Sequence, residues 1–345
     1  MGGDHGPSVV APGVALAIER LGSQAPRFLL HGDEALINAE LAKSPKAKAL
    51  CEVRHTDKVI ASEEKAAQAL RRGKGSSLWN CVQAVKDGEA VAAVSGGNTG
   101  ALMAISKLQL RMHGGLDRPA IVCSWPNIKG VAAVLDVGAN VSSDAAQLVE
   151  FAIMGEAFHR AVYGVKKPTI GLLNVGSEEQ KGHEEVREAH RLLREAGLDL
   201  NYRGFVEGDD IAKGTVDVVV TDGFTGNIAL KTAEGTARFV RSVLREAFTS
   251  SLRAKLGALI AAPALKRMAR RMDPSEVNGG PLLGLNGIVV KSHGGAEVRG
   301  FANAIKVALD LANSDYLVQI ERHMKQLAAV LPETGPGSAA AETAN

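Results

Sequence analysis

Short apolar, β-branched runs that alternate with helical patterns constrain this chain most. RFLLH (27–31), AVAAV (90–94), AIVCSW (120–125), VAAVLDV (131–137), TIGLLNV (169–175), VDVVVTD (216–222) and GIVVKSH (287–293) read as strands. Between them, apolar spacing predicts helices near 33–43, 63–72, 76–87, 99–112, 144–163, 183–196, 226–249 and 296–329. Parallel strands need crossover connections and bury both of their faces. The expected fold class is therefore α/β, a mainly parallel sheet covered by helices on both faces. With 345 residues, 46% of them hydrophobic, one large catalytic domain over 1–331 is expected. The tail 332–345, PETGPGSAAAETAN, lacks core-forming residues and is expected to be disordered.

Composition excludes several function classes. Aromatic residues are 4% of the chain, too few for stacking on nucleic-acid bases. A net charge of +2 does not by itself imply a polyanionic partner. Cys51, Cys81 and Cys123 have no metal or disulfide spacing, which fits a reducing compartment. The longest nearly apolar run, about 256–265, is far shorter than the roughly 20 residues that span a bilayer. A cytoplasmic protein is expected, with contact at a membrane surface left open.

Polar, glycine-containing segments follow the apolar runs: SGGNTGA, DVGANV, NVGSEEQKGH, TDGFTGN and KSHGGA, with MGGDHG at the start. Sites in open parallel sheets lie at the carboxyl ends of strands, so a shared polar pocket is expected. Each segment alone also reads as a plain turn. In SGGNTGA, the glycines allow close backbone approach, and the amides opening the next helix favour an anion. Ser95, Gly97, Asn98, Thr99 and Gly100 are therefore candidate phosphate contacts, although Asn98 or Thr99 also reads as a helix cap. Neither a Walker loop nor a G-x-G-x-x-G turn is present. In TDGFTGN, Asp222 reads as a cap or a substrate contact, and the Asn227 amide as a donor to a developing oxyanion. Lys181 reads either as a surface lysine beside Glu178 and Glu179 or as a cation for phosphate or a thioester carbonyl. Asp4 with His5, and His293 with Lys291, join the candidate binding set. No histidine pair has metal-ligand spacing, so neither a metal nor another cofactor is expected.

MGGDHGP reads as a loop with no strand before it, whereas an α/β chain feeds such a loop from a strand. Met1 is therefore expected to be an internal methionine, with an N-terminal strand upstream.

MGGDHGP, SGGNTGALMA, DVGANV, LLNVGSEEQKG, TDGFTGNIALK and KSHGGA together, in this order, resemble the bacterial phosphate acyltransferases of fatty-acid and phospholipid synthesis, the PlsX family. The resemblance runs from Met1 to about Val330. It implies acyl transfer from acyl carrier protein to inorganic phosphate, giving acyl phosphate for glycerol-3-phosphate acylation by a membrane enzyme. It also implies a fold like that of phosphotransacetylases and isopropylmalate dehydrogenases, and a homodimer. The chain departs from the family in lacking a strand with an acidic residue before MGGDHG, and in having His183 where Asn is usual.

Phosphate is itself a nucleophile, so a Ser or Cys nucleophile is not needed. The expected arrangement has Gly97, Asn98, Thr99 and Gly100 cradling phosphate near Asp4 and His5, with Lys181 and Asn227 polarising the carbonyl or holding phosphate. A phosphotransacetylase-like enzyme acting on acyl-coenzyme A and a non-catalytic carrier-binding scaffold at a membrane surface are the alternatives.

Finally, 250–272 carries Arg253, Lys255, Lys266, Arg267, Arg270 and Arg271 and no acid, with Leu256, Leu259 and Ile260 on one helical side. Pro263 is expected to break it into two short helices. It reads as a helix pair packed in a dimer, as a reversible contact with anionic membrane, or as a dock for acidic acyl carrier protein.

Overall fold

The computed structural model describes residues 2–271 and 274–329. The expected tail 332–345 lies outside them. The strands are β1 (Phe28–Gly32), β2 (Cys51–His55), β3 (Ala92–Ser95), β4 (Ala120–Pro126), β5 (Val131–Leu135), β6 (Thr169–Leu173), β7 (Asn201–Val206), β8 (Val218–Val220), β9 (Gly280–Leu283) and β10 (Ile288–Lys291). β1 and β2 form a parallel pair of their own; the others form one sheet in the order β3-β10-β9-β4-β5-β8-β6-β7. Pairing is parallel between β3 and β10 and along β5, β8, β6 and β7. It is antiparallel where β9 meets β10 and β4, and where β4 meets β5. The two parallel flanks therefore run in opposite local senses.

Helices cover both faces, as the unbroken apolar strands require. On one face, helices Ser77–Lys86 and Thr99–Leu110 and the start of helix Gly223–Thr249 rest on a cluster containing Val82, Leu102, Ile105, Val134, Val219 and Val289, with Leu230 packed against it. On the other, the almost wholly buried helix Ala145–Tyr163 packs with helices Glu184–Glu195, Val298–Ala312 and Tyr316–Ala328 around Phe151, Phe158, Leu172 and Ile320.

Several elements differ from their sequence signals for identifiable reasons. Helix Pro7–Leu21 contains Pro12, which lowers its helical propensity. Its buried Ala11, Val14, Ala17 and Ile18 pack it against helix Val298–Ala312. β2 is charged and only half buried, β7 contains Gly204, and β9 contains Pro281, so none has a clean strand pattern. The helix expected over 296–329 divides at 313–315, where the Ser314 hydroxyl accepts the Tyr316 N–H at 3.2 Å. Pro263 does not break the basic segment: Leu252–Arg271 is one helix. Pro263 removes a single N–H, and the helix is exposed enough for water to satisfy the carbonyl freed one turn back.

Candidate functional site

The glycine segments fall into two groups. The first sits where β3 and β10 end side by side, with Lys291 opposite Ser95. The Ser95 hydroxyl accepts the Gly97 N–H at 3.1 Å and fixes the start of the turn. Asn98 caps helix Thr99–Leu110, its Oδ1 accepting the Ala101 N–H at 3.0 Å. Its Nδ2 donates to the carbonyls of Ala61, Ser62 and Glu64 at 3.1, 2.9 and 2.8 Å. Both ends of the Asn98 side chain are thus engaged within the protein, and the amides of Thr99 and Gly100 are left at the positive end of the helix.

The opening loop closes over this turn. Asp4 donates its N–H to the Gly294 carbonyl at 3.0 Å. Gly3, at φ +78°, lies so close that a Cβ there would stand 3.1 Å from the carbonyl oxygens of both Gly96 and Gly294. The Lys291 ammonium donates to the Gly96 carbonyl at 3.3 Å and also to the Ser292 carbonyl. Burial pushes Lys291 down to about 8, and the Asp4 carboxylate opposes that fall. His293 Nδ1 accepts the Gly295 N–H at 3.1 Å, which leaves Nε2 for the proton of the neutral ring. The His293 N–H donates to Asn278 Oδ1 at 3.0 Å, and Asn278 Nδ2 donates to Ser292 Oγ at 2.9 Å and the Gly300 carbonyl at 2.8 Å. Asn278 thereby ties down the end of β10. The side chain of His5 is exposed in the same loop.

The second group lies at the carboxyl ends of β5, β8 and β6. Asp136 is fully buried at its centre. Its Oδ1 accepts the N–H groups of Ile121, Gly138 and Ala139 at 3.0, 3.2 and 3.0 Å. Its Oδ2 accepts the Asn140 N–H at 2.7 Å and Asn140 Nδ2 at 3.0 Å. Burial pushes this carboxyl up while those N–H groups pull it back toward the ionised form. The Asn140 carbonyl accepts the Gly223 N–H at 2.8 Å, which joins this loop to the start of helix Gly223–Thr249. A Cβ at Gly226 would collide with the Asp136 carbonyl, so glycine is needed for this approach.

Asp222 caps that helix. One carboxylate oxygen accepts the Thr225 N–H at 2.9 Å and the other the Thr225 hydroxyl at 2.8 Å. Asn227 lies exposed on the first turn, and its side chain is 3.6 Å from where a Cβ on Gly138 would stand. In the neighbouring loop, Lys181 pairs with Glu178 at 2.9 Å with both side chains about half exposed. That pairing holds the Glu178 carboxyl below its ordinary range. Asn174 closes the loop, donating to the Lys181 carbonyl at 3.1 Å.

Asp4, His5, Ser95, Gly97, Asn98, Thr99, Gly100, Lys291 and His293 thus fall in the first group, and Lys181, Asp222 and Asn227 in the second. Among the described residues, no hydrogen bond or ion pair joins the groups. The helices that open at them do rest on one shared apolar cluster. Asp136, Asn140 and Asn278 were not singled out by the sequence. An acid closing an apolar strand in LDVGAN was the available signal for Asp136; Asn278 has none.

The thiols are not activated: burial raises Cys51 to about 11 and Cys123 to about 12, and raises Cys81 as well. Among the described residues, no group of three or more His, Cys, Asp or Glu is arranged to hold a metal ion. None of the described helices is long and apolar enough to cross a membrane. Along helix Leu252–Arg271, Leu256, Leu259 and Ile260 are 60, 73 and 77% exposed, beside exposed Arg253, Lys266 and Arg267. The side chains of Arg270 and Arg271 lie outside the described residues.

A family model described as "Fatty acid synthesis protein" matches residues 1–319. The phosphate acyltransferase of Caulobacter vibrioides is 66% identical over 346 residues, covering 100% of this chain and 96% of that protein. That of Phenylobacterium zucineum is 61% identical over 339 residues, covering 98% of this chain and 96% of the relative. In fold, the chain is similar to a phosphotransacetylase from Streptococcus pyogenes, with a TM-score of 0.59 at 17% identity over 89% of this chain and 92% of the other. It is also similar to the EutD phosphotransacetylase from Staphylococcus aureus, with a TM-score of 0.53 at 14% identity over 88% and 99% of the two chains. Both the ordered motifs and this close similarity to proteins of known activity lead to one assignment: the chain belongs to the fatty acid synthesis protein family, the PlsX family, and is an acyltransferase.

Proposed function

We propose that this enzyme moves a fatty acyl chain from acyl carrier protein to inorganic phosphate, giving an acyl phosphate for phospholipid synthesis. The observation that carries this reading is the Lys291 ammonium, largely buried beside the 95–100 turn and the positive end of helix Thr99–Leu110. An ammonium and free helix amides suit a small dianion, and acyl transfer to phosphate supplies one. A phosphate oxygen adds to the thioester carbonyl carbon. The tetrahedral intermediate then expels the carrier thiolate, which takes a proton.

In this reading the first group of loops holds phosphate, with Asp4, His5 and His293 at its rim. Lys181 and Asn227 act on the thioester carbonyl, with Asp222 setting the helix start that presents Asn227. The Lys181–Glu178 pair is exposed to solvent, which screens it, so Lys181 can change partner readily. The enzyme works as a homodimer of one-domain subunits in the cytoplasm. The exposed apolar and basic faces of helix Leu252–Arg271 support reversible contact with an anionic membrane surface, where the membrane glycerol-3-phosphate acyltransferase would take the product. The same basic face suits docking of an acidic carrier protein.

The test is release of carrier thiol from long-chain acyl carrier protein by the purified full chain, with hydroxylamine trapping the acyl phosphate. The reading expects release only when phosphate is present. Equal or faster turnover of acyl-coenzyme A would point to a phosphotransacetylase-like enzyme. Carrier binding with no phosphate-dependent release would leave a scaffold.

A further inference from the structure

Large apolar side chains stand exposed among the polar loops of the second group. Val141 in DVGANV, Val175 in NVGSEEQKGH and Phe224 in TDGFTGN are 80, 76 and 61% exposed, and Ile228, one turn beyond Phe224, is half exposed. A single exposed apolar residue is ordinary on a protein surface, whereas a group of them marks a contact. The three loops follow β5, β6 and β8, and β8 lies between the other two. Neighbouring strands are about 4.8 Å apart, so the three strand ends span only about 10 Å. Hydrogen bonds draw the loops together: the Gly223 N–H, next to Phe224, donates to the carbonyl of Asn140, next to Val141, at 2.8 Å. Asn174 joins Val175 to Lys181, its Oδ1 accepting the Val175 N–H at 2.9 Å and its Nδ2 donating to the Lys181 carbonyl at 3.1 Å. Asn227 stands between Phe224 and Ile228 on the first turns of its helix.

A thioester carbonyl carbon carries sulfur on one side and the first methylenes of the acyl chain on the other. Donors that reach its oxygen therefore bring those methylenes against whatever side chains flank the donors. We propose that Val141, Val175, Phe224 and Ile228 form a collar for the acyl chain, covering the methylenes next to the thioester and making turnover depend on chain length. This rests on the acyl-transfer reading, in which Lys181 and Asn227 act on that carbonyl. The charge of the same loops selects the occupant. Glu178 and Glu179 are exposed beside Val175, and Asp222 lies two residues from Phe224. An acidic carrier protein or an anionic lipid surface is repelled there, whereas a neutral aliphatic chain is not.

The test compares kcat/KM for octanoyl and butyryl acyl carrier protein with phosphate saturating. A buried methylene is worth roughly fourfold, so the parental octanoyl-to-butyryl ratio should be at least about tenfold. Val175→Ser combined with Phe224→Ser should bring it below about threefold, and since both side chains are exposed the variant should fold. Phe239→Ser is the control: Phe239 is exposed on the same side of the helix, about 22 Å farther along, and its loss should keep the parental ratio. A parental ratio near one, or a ratio that survives the double substitution, overturns the proposal. So does Phe239→Ser if it flattens the ratio equally, which would give the helix face to a second copy of the chain. If no thioester transfers its acyl group to phosphate, the acyl-transfer reading fails by itself, and binding of a fluorescent long-chain fatty acid then decides on the collar. Binding at least about tenfold weaker in the double variant supports it, and equal binding overturns it.

Discussion

Two helices, Thr99–Leu110 and Gly223–Thr249, open at glycine-rich turns on the same face of the sheet, and each is capped by a side chain. Their electrostatics differ. The first is capped by neutral Asn98 and has the Lys291 ammonium nearby. The second is capped by the Asp222 carboxylate, rests on buried Asp136, and has its neighbouring cation paired with Glu178. A carboxylate at the second helix start already occupies the place a phosphate would favour, and the first start leaves it open. Similar turn sequences thus leave one helix start open beside an ammonium and the other already filled by a carboxylate.

The largest expected effect lies at the second helix start. Lys181→Ala or Asn227→Ala should lower kcat at least about a hundredfold, roughly 3–4 kcal/mol, with little change in the KM for phosphate. Lys291→Met should instead act chiefly on the KM for phosphate. Steady-state kinetics with phosphate varied would separate the two. The comparison breaks if Lys181→Ala moves only the phosphate KM, or if Lys291→Met moves only kcat.

Asp136→Ala ranks next. It removes the acceptor of five N–H donors in a buried loop, which should destabilise the fold by about 3 kcal/mol. Urea unfolding would measure this. Near-wild-type stability would show that the second helix start is not braced as described.

A smaller effect follows from pH. Lys291 loses its charge as pH rises through about 8. The KM for phosphate, counted as the dianion, should therefore rise about tenfold between pH 7 and pH 9, and Lys291→Arg should flatten that rise. A flat parental profile would leave Lys291 no part in holding phosphate.

Much of this was legible in the chain itself. Strands β4, β5, β6 and β10 stand where unbroken apolar runs predict them, because burial on both faces leaves no room for polar residues. The caps at Asn98 and Asp222 also follow from local chemistry. The reversal of strand sense across β9 and β4 has no local signature, since it depends on which strands become neighbours. That pairing is why the glycine segments fall at the ends of two oppositely directed sets of strands. Asn278 was illegible for the same reason: its partners Ser292 and Gly300 are brought to it only by the finished fold.

Glu150 supplies a control on the pH dependence, read in stability and with no loss of turnover expected. It lies in helix Ala145–Tyr163, bonds to no residue of either loop group, and accepts the Asp117 N–H at 3.1 Å. Burial raises its carboxyl to about 7, against its ordinary 4.5. A raised carboxylate means that the unfolded chain releases this proton first as pH rises. Stability should therefore fall between about pH 4.5 and 7 and level off above. Glu150→Gln removes that loss, and the variant should be more stable than its parent at pH 8, by no more than about 3 kcal/mol. The advantage should vanish below pH 4.5, as unfolding curves at both pH values would show. Because Glu150 touches neither group, the variant should keep the parental rise in the phosphate KM through pH 8. If that rise disappears with Glu150→Gln, the pH dependence belongs to the stability of the fold, and the contrast between the two helix starts loses its titrating group.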